Sequence, residues 1–270
     1  MCQLLGLNSN LATDICFSFT GFRHRGGITD QHVDGWGIAF FDGGAARVFH
    51  DPQPSCSSPL AAFLSAQPIR STNIIAHIRK ATRGRTHLRN THPFGRELWG
   101  RHWVFAHNGT PKDFAPSLDG SYLPVGETDS ELAFCWLLQQ LRTRFGAESP
   151  APEAVFAFLR EMALELSRYG ICNFLLSCGD SLFAHCSTRL GYLERRSPFA
   201  GARLLDVDLA IEPAAANPAI VTALVATMPL TADEAWQGMP PGSLWWFVDG
   251  AVRGRQETVA GVVDQAAPHP

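Results

Sequence analysis

The second residue of the chain is a cysteine, and removal of Met1 leaves its thiol beside a free α-amino group. A small residue after the initiator methionine favours that removal. A model thiol titrates near pH ~8.5 and an α-amine near pH ~7.7–8.0, so the two groups can exchange a proton close to neutrality. Cys2 then combines a nucleophile and a general base in one residue, although a cysteine near an N-terminus is more often an incidental thiol.

A basic residue and an Asn-Gly pair follow two apolar segments farther along the chain. Arg79 directly follows the predicted strand at 73–78. At this position its guanidinium can hold a carboxylate through two hydrogen bonds. The alternative for Arg79 is a surface turn with solvated charges. Asn108 and Gly109 end another apolar strand, which is typical of a turn. The same pair can form an oxyanion hole, with one donor from the Asn side chain and one from the Gly backbone N–H.

A carboxylate is predicted at the start of a long helix. Thr128 and Glu131 have the spacing of a capping box, and acidic residues are favoured in the first turn of a helix. Asp129 lies between them. It serves either the helix start alone or a substrate ammonium group, and the residue pattern by itself leaves both interpretations open.

The elements that position these groups are mainly strands. Residues 42–44 link two apolar runs and indicate a β-hairpin. Strands in antiparallel-looking pairs, with the two long helices side by side, favour an α+β fold over a series of βαβ units. Helices are predicted at 14–22 and, from their apolar periodicity, at 129–144 and 152–169. Strands are predicted at 2–7, 37–41, 46–49, 73–78, 99–106, 173–177, 182–186, 219–226 and 244–248.

Composition argues against several classes of function. The 270 residues carry a net charge of −3 with scattered basic residues, so we expect no nucleic-acid partner. No apolar run reaches the ~18 residues of a membrane span, and no basic segment precedes a signal-type apolar stretch, so we expect a cytoplasmic protein. The spacing of Cys and His matches no zinc template, and no dinucleotide or phosphate-binding loop is present. We therefore predict neither a metal nor a cofactor.

The order of the motifs resembles the class II glutamine amidotransferases, whose nucleophile is an N-terminal cysteine. The segments at 14–19 and 195–199 extend this resemblance to the stand-alone YafJ-like branch of the family, and it covers the chain to about Trp246. Each motif is weak alone, but four in this order are highly specific. In chain order these four motifs are Cys2, Arg79-Lys80-Ala81-Thr82, His107-Asn108-Gly109 and Thr128-Asp129-Ser130-Glu131. Two additional motifs, Asp34-Gly35-Trp36-Gly37 and Asn90-Thr91-His92-Pro93, fall where the family has its glycine-rich and Asn-x-His-Pro segments.

The resemblance implies a reaction. Cys2 would attack the side-chain amide of glutamine to give a γ-glutamyl thioester and ammonia, and hydrolysis would then give glutamate. Its α-amine would take the thiol proton and return one to the leaving nitrogen. Asn108 and Gly109 would stabilise the tetrahedral oxyanion.

The resemblance also implies how substrate is held and which fold holds it. Arg79 would bind the substrate α-carboxylate, with Thr82 assisting, and Asp129 would bind the α-ammonium group. The implied fold is the four-layer αββα arrangement of N-terminal nucleophile hydrolases, with two stacked antiparallel sheets between helical layers. We expect one glutaminase domain at 2–257 and a flexible C-terminal tail at 258–270.

The chain departs from its relatives in ways that leave the substrate open. Lys80 and Arg83 stand where many synthase-linked members carry Trp and His, and we expect no room for a synthase domain. The ammonia acceptor is then a separate protein, or there is none. Alternatively, the substrate is another γ-glutamyl amide or conjugate, as in the ergothioneine-pathway hydrolases, and Lys80 and Arg83 would suit an acidic leaving group. A non-catalytic glutamine-binding module is the remaining alternative.

Overall fold

The structure is a computed structural model that describes residues 2–82, 84–212 and 219–258. The helices are α1 (Cys16–His24), α2 (Pro59–Ala66), α3 (Asp129–Phe145) and α4 (Pro152–Ser167), with a 3-10 turn at Leu88–Asn90. The strands are β1 (Gln3–Thr13), β2 (Trp36–Asp42), β3 (Ala45–Asp51), β4 (Ser71–Ile78), β5 (Phe94–Leu98), β6 (Arg101–Gly109), β7 (Cys172–Ser177), β8 (Ser181–Cys186), β9 (Gly191–Arg196), β10 (Ala202–Arg203), β11 (Ala210–Ile211), β12 (Val221–Ala226), β13 (Gln237–Gly238), β14 (Ser243–Val248) and β15 (Ala251–Glu257).

The strands form two antiparallel sheets. Seven strands make the first sheet in the order β13-β9-β12-β1-β4-β2-β3, and six make the second in the order β15-β14-β8-β7-β6-β5. β1 lies inside the first sheet between β12 and β4. Its register pairs Gln3 with Ile78, the last residue of β4. This pairing places Cys2, just before β1, next to Arg79, just after β4.

Alternating side chains bury both faces of the central strands. On β1, Leu4 contacts the core between the two sheets, whereas Leu5 contacts the core beneath α1 and α2. On β6, Val104 faces the inter-sheet core, whereas Phe105 stacks on Phe134 of α3 at a ring-centroid distance of 5.2 Å. Three hydrophobic cores therefore separate four layers, and the αββα fold implied by the resemblance is confirmed.

Most predicted elements are present with shifted ends. The strand predicted at 99–106 is wrong at its start, because Trp99 and Gly100 have φ of 58° and 73° and form the turn before β6. The strand predicted at 2–7 continues to Thr13, and the helix predicted at 14–22 begins at Cys16. The hairpin at 42–44 is confirmed by the pairing of Asp42 with Ala45.

The C-terminal part of the chain is described only to Thr258. Thr258 is buried, and its hydroxyl lies 2.8 Å from Nε2 of His185. The rest of the tail predicted at 258–270 lies outside the described residues. Within the described ranges, no helix combines the length and the apolar character that a membrane crossing needs.

Candidate active site

The thiol of Cys2 lies against the backbone of Lys80. Its Sγ accepts a hydrogen bond from the Lys80 N–H at 3.3 Å and lies 3.4 Å from the Lys80 carbonyl oxygen, to which the thiol donates. Burial raises the pKa of the Cys2 thiol, while the Lys80 N–H and the Arg79 guanidinium lower it to a smaller extent. The group at rest is therefore a thiol at neutral pH, and its attack on an amide needs a base.

The side chain of Asn108 is bound to the backbone of the same cysteine. Asn108 Oδ1 accepts a hydrogen bond from Cys2 N at 3.0 Å, and Asn108 Nδ2 donates to Cys2 O at 2.7 Å. In this chain Cys2 N is an amide nitrogen joined to Met1, and it stands in for the α-amine that removal of Met1 would create. The amide of Asn108 therefore fixes the atom that would serve as the base.

Asn108 and Gly109 lie within β6, so the simple-turn interpretation of this pair is wrong. They pair with Asn173 and Cys172 of β7. A Cβ atom on Gly109 would lie 1.8 Å from the carbonyl oxygen of Ile171, so this position accepts only glycine. The side chain of Asn173 supports the strand by donating to Asn108 O at 3.2 Å.

Arg79 is buried beside Cys2 rather than solvated in a surface turn, with a relative exposure of 3%. Its guanidinium donates to the carbonyl oxygens of Gly84 at 3.1 Å and Arg85 at 3.2 Å. Burial lowers the pKa of Arg79, and the negative charges of Asp34 and Asp129 counteract this effect. The guanidinium therefore faces the segment that follows β4.

Asp129 lies at the first position of α3 and is buried. Its Oδ1 accepts a hydrogen bond from Ser130 N at 2.8 Å. The capping box predicted around it is only half formed. Thr128 Oγ1 accepts from Glu131 N at 3.2 Å, as expected, but the Glu131 carboxylate accepts from the backbone N–H of Gly126 at 2.7 Å instead of reaching the cap.

Buried histidines connect the elements that carry these residues. His77 of β4 donates from Nε2 to His107 O on β6 at 3.1 Å, and thereby links the two sheets next to Asn108. His107 Nδ1 lies 2.9 Å from Ser130 Oγ at the start of α3. Burial lowers the pKa of His77 to about 3 and of His107 to about 4, so both rings are neutral near pH 7.

Two polar residues that were not predicted as site residues hold the segment after β4 in place. Asp34 accepts from Ala81 N at 2.8 Å and from Thr86 Oγ1 at 3.1 Å. Asn90 donates to Arg85 O at 2.9 Å and accepts from Glu127 N at 2.9 Å. Both residues belong to the additional motifs at 34–37 and 90–93, which was the available signal for them.

Two cavities meet at Cys2. A small one of about 20 Å³ is lined by Arg79, Asp129 and His107. A larger one of about 370 Å³ is lined by Asn108 and Lys112 as well as by Cys2. The exposed side chain of Thr82 lies on the rim that they share, and Arg83 lies outside the described residues. A separate cavity of about 490 Å³ near β3 and β5 contains none of the candidate site residues.

The arrangement offers acyl-transfer chemistry without metal ligands. In the part of the chain that the structure describes, no group of three or more His, Cys, Asp or Glu side chains is placed to hold a metal ion. The site combines the Cys2 thiol as a nucleophile with a nitrogen held beside it and with amide donors. It also contains the buried cation of Arg79 and the buried anion of Asp129. These groups match the needs of thioester formation from an amino-acid amide.

Comparison with known proteins places the chain in a family. The family model described as glutamine amidotransferases class-II matches residues 1–268. The chain belongs to this family. YafJ of Escherichia coli (strain K12), itself predicted to be a glutamine amidotransferase, is 49% identical over 251 residues, which cover 93% of this chain and 98% of that protein. The gamma-glutamyl-hercynylcysteine sulfoxide hydrolase of Mycobacterium tuberculosis (strain ATCC 25618 / H37Rv) is 34% identical over 111 residues, 40% of this chain and 41% of that protein.

Solved structures agree with this class II amidotransferase assignment. A predicted glutamine amidotransferase from Pseudomonas aeruginosa PA01 is 41% identical and has a TM-score of 0.76, covering 94% of this chain and 100% of the other. The glutamine phosphoribosylpyrophosphate amidotransferase of B. subtilis is 15% identical with a TM-score of 0.52, over 96% of this chain and 49% of that one. The second likeness concerns the fold alone.

Proposed function

We propose that this class II glutamine amidotransferase hydrolyses the side-chain amide of glutamine, or of a related γ-glutamyl amide, through a thioester on Cys2. The observation that carries the proposal is the double hydrogen bond between Asn108 and Cys2, which sets an amide donor and the prospective α-amine beside one thiol. Family membership supports it, since class II amidotransferases are the proteins that this chain matches along nearly its whole length.

Substrate binding uses the buried charges of the small cavity. Arg79 takes the α-carboxylate and Asp129 takes the α-ammonium group, which directs the side-chain amide toward Cys2. The cavity of about 20 Å³ holds only about one water molecule. The space beside Arg79 and Asp129 must therefore widen when a glutamyl group enters. Thr82, on the rim, assists at the carboxylate end.

Bond cleavage then takes place at Cys2. The α-amine removes the thiol proton, and Sγ attacks the amide carbon. The oxyanion is held by the remaining N–H of the Asn108 amide and by the Gly109 backbone N–H. The α-ammonium of Cys2 returns a proton to the nitrogen, so the C–N bond breaks and ammonia leaves. Water cleaves the thioester and releases glutamate.

The test is turnover by purified protein in which mass spectrometry shows that Met1 has been removed. Release of glutamate from glutamine or another γ-glutamyl amide, lost in Cys2→Ala, is the expected result. Glutamine binding in a calorimeter without turnover of any γ-glutamyl compound would contradict the proposal and favour a binding module. With glutamine as the substrate, the products are glutamate and ammonia, and the ammonia either passes to a separate acceptor protein or is released.

A second candidate differs only in the leaving group. The mycobacterial relative matches 40% of this chain, and its name gives it a γ-glutamyl conjugate as substrate. The larger cavity beside Cys2 also gives a leaving amine more room than ammonia needs. Hydrolysis of a γ-glutamyl conjugate by the same residues is therefore a specific alternative, and the ratio of kcat/KM on glutamine and on conjugates distinguishes the two.

A further inference from the structure

The two cavities beside Cys2 differ greatly in volume, about 20 Å³ against about 370 Å³. The small cavity and the larger one share Cys2, Lys80, Thr82 and Gly109, so both open beside the reacting thiol. Arg79 and Asp129 line only the small cavity. With the glutamyl end held there, the cavity of about 370 Å³ is the space beside Cys2 that remains for the leaving group. Ammonia needs far less space, since about 10–15 Å³ by the same measure holds one water-sized molecule.

The larger cavity has a distinctive charge. The chain contains 22 lysines and arginines, of which only two are lysines, Lys80 and Lys112. Both lysines line this cavity, and among the described residues that line it there is no aspartate or glutamate. Lysine is a compact, strongly hydrated charge on a flexible stem, which suits a ligand anion that must be bound and then released.

The wall that carries Lys112 is a fixed part of the fold. Lys112 N donates to Tyr169 O at 2.7 Å, and Thr110 N donates to Ile171 O at 3.1 Å. These bonds join the segment after β6 to the turn before β7. The side chain of Ile171 is 41% exposed and supplies an apolar surface beside the lysines. A ligand in this cavity would therefore meet a hydrophobic wall and two cations.

We infer that the leaving group is an amine that carries an anion, so that the preferred substrates are γ-glutamyl amides of amino acids or short peptides with a free carboxylate. The inference rests on the proposed function. The reaction remains balanced: the Cys2 thioester forms as the γ-amide C–N bond breaks, the amine departs with a proton from the α-ammonium of Cys2, and water restores the thiol and yields glutamate. Lys80 and Lys112 contribute to substrate specificity by binding the carboxylate of the leaving amine.

The test compares two substrates of nearly equal size, γ-glutamylglycine and γ-glutamylglycinamide, which differ by one carboxylate. The expected kcat/KM ratio is about tenfold in favour of the acid at low salt, within the range for two exposed ion pairs, and it falls as salt screens them. Lys112→Ala and Lys80→Ala each lower this ratio to about threefold, and Lys112→Arg retains most of it. Arg144→Ala is the matched control, because it removes an exposed charge about 22 Å along α3 from Asp129.

The outcomes distinguish a failure of this inference from a failure of the proposed γ-glutamyl amide hydrolysis. Equal use of acid and amide by the wild-type protein, or an unchanged ratio in both lysine variants, would overturn the inference while leaving γ-glutamyl hydrolysis intact. A loss of the same size on both substrates in Lys112→Ala would also overturn it, because that result places the lysine at the glutamyl end. No hydrolysis of either compound or of glutamine would instead refute the proposed function.

Discussion

The carboxamide of Asn108 is hydrogen-bonded to both backbone groups of Cys2: Oδ1 accepts from Cys2 N at 3.0 Å, and Nδ2 donates to Cys2 O at 2.7 Å. One side chain thus joins the end of β6 in one sheet to the start of β1 in the other. Because Nδ2 carries two hydrogens, one remains for an oxyanion. In the proposed mechanism, this one side chain therefore sets the positions of both the base and the oxyanion hole.

Asn108→Ala should lower kcat on glutamine by about 10²–10³-fold, the loss found when one oxyanion donor is removed. The measurement is steady-state release of glutamate by protein with a verified free Cys2. Asn10→Ala is the matched control, because Asn10 also bonds a neighbouring strand through its amide but lies roughly 26 Å along β1 from Cys2, at about 3.3 Å per residue. Equal kcat in Asn108→Ala and Asn10→Ala would remove Asn108 from the chemistry.

Asp129→Asn should raise KM for glutamine by about tenfold or more, because a charge-assisted hydrogen bond is lost. The decisive comparison uses glutaramate, which retains the carboxylate and the amide of glutamine but lacks the α-ammonium group. The substitution should have little effect on this analogue. Glu127→Gln, at an exposed carboxylate two residues earlier that pairs with Arg89, is the control. An equal penalty on both substrates would show that Asp129 acts only at the helix start.

Acid should destabilise the fold at a pH above the range in which carboxylates titrate. Burial lowers the pKa of His77 to about 3 and of His107 and His185 to about 4, whereas the unfolded rings titrate near about 6.5. Below about pH 6.5 the unfolded chain binds more protons, so stability is present above this value and is lost as the pH falls. Each ring contributes a loss of about 2 kcal/mol between pH 7 and pH 5.

Urea denaturation at pH 7, 6 and 5 measures this loss, and NMR of the ring protons identifies the rings that stay neutral. Stability that does not change over that range, or ring signals of His77 and His107 that titrate near about 6.5, would contradict the burial-driven pKa values. The NMR measurement keeps the prediction testable even where a histidine variant does not fold.

The sequence predicted the buried strands and long helices better than the edge strands and short elements. Strands rich in apolar residues, such as β4 and β7, were found because both of their faces are buried. β15 was missed because it is an edge strand with alternating polar residues, reading AVRGRQE. The short helix α2 was missed because it spans only eight residues. Periodicity detects an element only where burial imposes it.

The site shows the same division. Arg79, Asn108 and Asp129 stand at the ends of elements, where the sequence pattern predicted functional groups. The hydrogen bonds from Asn108 to Cys2 and from His77 to His107 join residues of the two different sheets. No local sequence pattern encodes such contacts. Lys112 belongs to no motif. Its only signal was the rarity of lysine in this chain.

The most direct test of the account is intact-mass spectrometry before and after treatment with a diazoketone analogue of glutamine. The mass before treatment reports whether Met1 has been removed. The account predicts one adduct per processed chain, located on Cys2 by peptide mapping, slowed by glutamine and absent in Cys2→Ala. An adduct on another thiol that persists in Cys2→Ala, or no adduct on protein with a verified free Cys2, would contradict the claim that Cys2 is the nucleophile.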